Sequence, residues 1–146
     1  MVSSGEPKPR IDSVEDFKRA LLAAKVIVYA NPVGGGAAGV HIARVIDELG
    51  LAERMKPKIR FGAGGDVTEV TLAQGEGALG LTQVSEIVGK AGAALISLPD
   101  ELQNYTGFVA GTPIGAPPSE AVAKLIKFLK APAVLAVMKA KRMQIE

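Results

Sequence analysis

Three short stretches of the sequence carry residue types and spacings suited to chemistry. The first is Gly34-Gly35-Gly36-Ala37-Ala38-Gly39, which satisfies G-x-G-x-x-G, follows a strand-like run and opens a helical pattern. Glycines at a helix start leave backbone N–H groups unpaired and uncovered at the positive end of the helix dipole, an arrangement that suits an anion. The second is the loop Gly62-Ala63-Gly64-Gly65, followed by Asp66-Val67-Thr68-Glu69. Its Asp-x-x-Glu spacing predicts a capping box with Asp66 in the cap position. The third is the turn Thr82-Gln83.

Two other readings of the first loop stand beside anion binding. Taken literally, G-x-G-x-x-G between strand and helix is a dinucleotide fingerprint, which would make the chain a nucleotide-binding enzyme fragment using Gly34, Gly36 and Gly39. Against it, Asn31-Pro32-Val33 lengthens the turn, and Phe61-Gly62 offers no acid for a ribose hydroxyl. The missing Gly-Lys-Ser/Thr excludes a P-loop. Alternatively, the glycines serve only tight turns and close helix packing.

Nothing else points to catalysis. His41 is the single histidine and has no second ligand at metal-binding spacing, so a surface or packing role is expected ahead of an anion neighbour. The acidic pairs Asp47-Glu48 and Asp100-Glu101 lack a partner placed to raise a pKa, and Ser85 lacks a G-x-S-x-G context. The expectation is a binding protein with no catalytic residues, metal or cofactor.

The elements that must hold these loops alternate. Ser13 caps a helix bearing Phe17 and Leu21, and Val26–Ala30 reads as a buried strand. The next helix carries Ile42, Val45, Ile46 and Leu49 on one stripe and stops at Gly50. Strands are expected at residues 58–61, 78–82 and 93–98, with a helix from Asp66 to Gln74 and a short one after Gln83. Alternating strands and helices imply an α/β fold with a mostly parallel sheet. A flavodoxin-like 2-1-3 strand order would bring both glycine loops and Thr82-Gln83 to the carboxyl edge, where such sheets bind ligands. Domain organisation is expected as a polar tail at 1–10, an α/β lobe at 11–111 ending in a return strand from Tyr105 to Gly111, and C-terminal helices at 112–146.

Composition bounds the function classes. The 146 residues are 48% hydrophobic and 22% charged, ordinary for one globular domain, and aromatics make up only 4%, so Ala, Val, Leu and Ile must build the core. Absent cysteine excludes a disulfide scaffold and thiol chemistry. No run reaches transmembrane length, and Met1 to Arg10 has no apolar core of a signal peptide, which would make a complete chain cytoplasmic. Net charge is +2; from Ser119 to Glu146 six basic residues face two acids, giving +4 and leaving −2 for the remainder. The basic residues are not interleaved with aromatics, so nucleic-acid binding is not expected.

Taken in order, several motifs resemble the molybdate-binding-like periplasmic substrate-binding proteins of ABC transporters. They are Pro7-Lys8-Pro9, Asp16-Phe17-Lys18-Arg19-Ala20-Leu21-Leu22, Asn31-Pro32 with Ala38-Gly39, Gly65-Asp66-Val67, Leu79 through Glu86, Pro99 through Tyr105, and Phe128-Leu129-Lys130-Ala131-Pro132. The resemblance covers the chain from about Gly5 on. It implies a type II periplasmic-binding-protein lobe with a C-terminal helical extension, with most of the family's first lobe lacking a counterpart. It implies a small anionic solute, a transporter permease as partner and a periplasmic location. Carried over by position, its ligand contacts fall at Ala38, Val67 and Gln83, within a site formed by Gly36, Ala37, Ala38, Gly39, Asp66, Val67, Thr82 and Gln83. Gln83 stands where the better-known molybdate binders have tyrosine, and Asn31 where they have aspartate, so the implied ligand is a small oxyanion or organic anion rather than molybdate itself. By the same resemblance Val122, Leu125, Ile126, Leu129, Leu135 and Met138 would cover the absent lobe. A homodimer or domain-swapped oligomer is therefore expected; a further alternative is a truncated module that binds no solute and persists only as an oligomer.

Overall fold

The computed structural model describes residues 1–117 and 119–145; Pro118 and Glu146, both within the stretch expected as C-terminal helices, lie outside the described residues. Residues Met1–Asn104 form one compact unit, and the chain from Tyr105 onward forms a second.

The first unit alternates as expected. After β1 (Val2–Ser3) come α1 (Val14–Ala23), β2 (Val26–Ala30), α2 (Ala37–Glu48), α3 (Ala52–Met55), β3 (Ile59–Gly62), α4 (Val67–Gln74), β4 (Ala78–Leu81), α5 (Val84–Ile87) and β5 (Ala93–Ala94). The three longer strands form a parallel sheet in the order β3-β2-β4, so the first of them lies centrally, as the 2-1-3 expectation required. Strand β2 is apolar throughout because both its faces are covered. Ile27 and Tyr29 join the larger core with Phe17 and Leu21 of α1 and Ile42, Val45 and Ile46 of α2. Val28 and Ala30 face the other way, onto Val67 and the half-buried Val70 of α4. Successive strand residues point to opposite faces, so one five-residue run anchors two layers of helix.

Local signals act as their chemistry dictates. Ser13 accepts a hydrogen bond from the Asp16 amide and starts α1. Gly50, after α2, takes a left-handed φ of 68°.

Three expectations are corrected. The expected polar tail enters the core: Met1 is 3% exposed and Val2 5%. The Met1 nitrogen donates to the Gly80 carbonyl at 2.6 Å and the Gly80 N–H returns to the Met1 carbonyl at 2.9 Å, which lines the free side of β4. The strand expected at 93–98 ladders only over Ala93–Ala94, antiparallel to Val2–Ser3, because no neighbour lies beside its remainder. The expected return strand at 105–111 is not a strand: this segment has no ladder partner, and all of it but Thr106 is exposed.

The second unit contains α6 (Glu120–Leu129) and α7 (Pro132–Ala140). Ser119 caps α6 and Pro132 opens α7. None of its described residues is buried. Among the described residues no helix is long and apolar enough to cross a membrane.

Candidate functional site

Because β2, β3 and β4 run parallel, the segments that follow them all leave the same edge of the sheet. Ala30 pairs with Gly62, and Tyr29 with Leu81, so the exits of β3 and β4 each lie one strand spacing, roughly 4.8 Å, from that of β2. Gly36, Ala37, Ala38 and Gly39, the Asp66-Val67 pair and the Thr82-Gln83 turn are thus placed along this carboxyl edge.

The start of α2 is built to leave its amides open. Asn31 accepts a hydrogen bond from the Val33 amide at 3.0 Å and turns the chain into a 3-10 turn, Pro32–Gly34. Gly35 follows with φ 73°, a conformation that glycine adopts without penalty. Gly36 then occupies the cap position, where it has no side chain to turn inward, and the first turn holds no acid. The first intrahelical bond runs from the Val40 amide to Gly36, which leaves the amides of Ala37, Ala38 and Gly39 ahead of it. A Cβ on Gly34, Gly35 or Gly36 would meet nothing within 4 Å, so the approach is open.

Gly39 has a different task. A Cβ there would lie 2.3 Å from the Ala30 carbonyl oxygen, so this glycine lets α2 pack directly on β2. Of the three loop readings, close packing accounts for Gly39, whereas Gly34, Gly35 and Gly36 border open space.

The start of α4 is occupied instead. Asp66 stands in the cap position but makes no cap bond; its Oδ1 accepts from the Gly64 amide at 3.2 Å. The expected capping box therefore does not form, because the glycine loop folds back onto the carboxylate first. Gly62 makes room for this turn, since a Cβ there would lie 2.7 Å from Asp66 Oδ1. The Val67 amide, expected as a ligand donor, already donates to the Gly64 carbonyl at 3.3 Å. Glu69 bonds the Lys90 ammonium and its own backbone N–H, and these hold its carboxyl below the usual carboxylate range.

Thr82 is committed as well: its hydroxyl donates to the Glu86 carboxylate. The Thr68 hydroxyl donates to the Glu86 carbonyl at 3.3 Å, so Glu86 ties the end of β4 to the first turn of α4. Sequence reasoning passed over Glu86, whose only signal was the i, i+4 spacing from Thr82. Carboxylates thus already attend the α4 start, whereas the α2 start has none in its first turn. Gln83, half-buried at the cap of α5, makes no side-chain cap bond and keeps its amide for another partner.

His41 is spent on structure. Its Nε2 lies 2.9 Å from the Leu102 carbonyl, which can only accept, so Nε2 carries the proton, and Arg44 approaches Nδ1 at 3.4 Å. Inward of Thr82, a cavity of about 60 Å³ is walled mainly by Ile42, Leu79, Leu81 and Ile87. Thr82, Ser97 and Gln103 also line it, and both glycine loops lie outside it, so the surface edge beside those loops is the separate candidate for an anion.

A family model described as bacterial extracellular solute-binding protein matches residues 1–142. No curated protein and no solved structure matches the chain.

Proposed function

From the premise that the chain belongs to the bacterial extracellular solute-binding proteins, we propose that it binds a small anion at the start of α2 and serves an ABC importer. Family membership brings a small solute, a transporter as partner and a periplasmic setting. The anion is a molybdate-like oxyanion or a small organic anion. One observation carries this choice. The uncapped amides of Ala37, Ala38 and Gly39 open onto a carboxyl edge behind three glycines, with no acid in the first turn. Gln83, on the strand-end beside this opening, supplies the side-chain partner.

The test uses one substitution and a panel of ligands. Ala37 is the first residue of α2, and Gly36 before it has φ −65° and ψ 127°, the backbone that a following proline prefers. Ala37→Pro therefore deletes one N–H donor while leaving the helix intact. Calorimetric titration with molybdate, sulfate, phosphate and acetate is expected to find an anion that binds. The variant should bind it about tenfold more weakly, the scale of one hydrogen bond to a charged group. Unchanged affinity in Ala37→Pro would remove α2 from the site. Binding of NAD with no response to any of the anions would favour the nucleotide reading.

A further inference from the structure

The corner between α6 and α7 holds an open groove lined by Lys124, Lys127, Phe128, Lys130, Ala131 and Pro132. Three ammonium groups thus attend an apolar patch in which Phe128 is 61% exposed. The pattern follows from the sequence of α6. Val122, Leu125, Ile126 and Leu129 recur at helical spacing and form one apolar stripe, which Phe128 widens on one border and Ile126 closes on the other. Lys124 lies four residues before Phe128 and Lys130 four residues after Ile126, so a lysine neighbours each border. Lysine stems can lie along apolar surface while their ammonium groups reach past it. Lys124 also pairs with Glu120 at 2.7 Å, whereas Lys127 and Lys130 meet no acid among the described residues. Beyond the groove, Leu125 on α6 and Val137 on α7 are exposed as well.

We propose that this face of the second unit rests on an anionic phospholipid surface. Phe128 and Leu125 enter below the headgroups, and Lys124, Lys127 and Lys130 meet the phosphates. Charge selects this occupant. Residues 105–146 carry six cations and two acids, a net +4, whereas residues 1–104 carry −2, so the second unit is the one drawn to an anionic layer.

The apolar part narrows the choice further. Nucleic acid would pair the lysines but leave Leu125 and Val137 in water, whereas a bilayer takes both kinds of group at once. Leu125, Phe128 and Val137 offer too little area for a stable protein interface, which buries roughly 800 Å² per partner. Attachment to a membrane needs less, because electrostatic attraction adds to a modest inserted area.

Flotation of the full chain with lipid vesicles tests this. At about 0.1 M sodium chloride the chain should float with phosphatidylcholine vesicles containing phosphatidylglycerol and not with phosphatidylcholine alone. At about 1 M salt, where the Debye length falls from about 10 to about 3 Å, binding should drop at least about tenfold. Each lysine beside such a surface is worth about fivefold, so Lys124→Gln with Lys127→Gln and Lys130→Gln should bind about a hundredfold more weakly. Phe128→Ser keeps the charge and should still weaken binding about tenfold, the scale of one inserted apolar side chain. All four side chains are exposed, so both variants should keep the wild-type circular-dichroism spectrum. Failure to bind the phosphatidylglycerol vesicles, equal binding to phosphatidylcholine, indifference to salt, or full binding by either variant would overturn the proposal. So would retention of DNA or polyglutamate by a chain that ignores vesicles, which would assign the lysines to a polyanion.

Discussion

Gln83 and Gly39 lie on the same sheet edge and should answer substitution in opposite ways. Gln83 makes no side-chain cap bond, so Gln83→Ala is expected to leave thermal stability unchanged. It should weaken anion binding by roughly 1–2 kcal/mol, the scale of one neutral hydrogen bond with partial desolvation. Lost stability with intact binding would mark the residue as part of the turn only. Gly39 is the reverse case, because a Cβ would collide with the rigid Ala30 carbonyl rather than with a flexible side chain. Gly39→Ala should lower stability by about 1–3 kcal/mol as α2 is pushed from β2, whereas Gly34→Ala, in open space, should be tolerated. Chemical denaturation of the two variants makes the comparison.

Among the elements, α1 shows how a helix start can depend on pH. Asp16 is 8% exposed, and its carboxyl lies below its ordinary range. A side-chain hydrogen bond from Ser13 to the carboxylate contributes most, and the Asp12 amide and the charges of Arg19 and Arg10 act in the same direction. A carboxyl whose folded pKa is depressed stabilises the fold above its unfolded value, about 3.9, and loses that contribution as pH falls through the folded one. The wild type should therefore lose stability below about pH 4 more steeply than Asp16→Asn, as acid unfolding curves would show. The same elements show what the sequence could disclose. Strand β2 was legible because an apolar run of five residues between polar breaks has few other fates, and its central place matches the flavodoxin-like order expected for the sheet. Strand β1 was not, since two apolar residues ahead of a polar stretch carry no periodicity, and only the edge of β4 gives them a role. The α4 start was misread for a related reason. Asp-x-x-Glu fits a capping box, but the competing amide of Gly64 is set by a loop conformation that spacing does not encode. At the α2 start, by contrast, glycine has no side chain to compete, and the open amides could be anticipated from composition alone.

For the molecule as a whole, every buried side chain described lies in the first unit, the last of them Leu102. Residues 1–104 alone are accordingly expected to unfold in a single cooperative thermal transition. If that fragment shows no transition by calorimetry, the two-unit division has no energetic meaning. Within that unit, the pairing of Met1, Val2 and Ser3 has a consequence in time. Val2 pairs with Ala94 and Met1 with Gly80, so these residues wait for partners synthesised some eighty to ninety positions later. Contacts this distant in sequence close slowly, because chain entropy must be lost before any pairing rewards it. The β2–β3 and β2–β4 ladders span shorter loops and can form first. Until the first residues are seated, the outer side of β4 is an unprotected strand edge, the kind of surface that recruits other chains during folding.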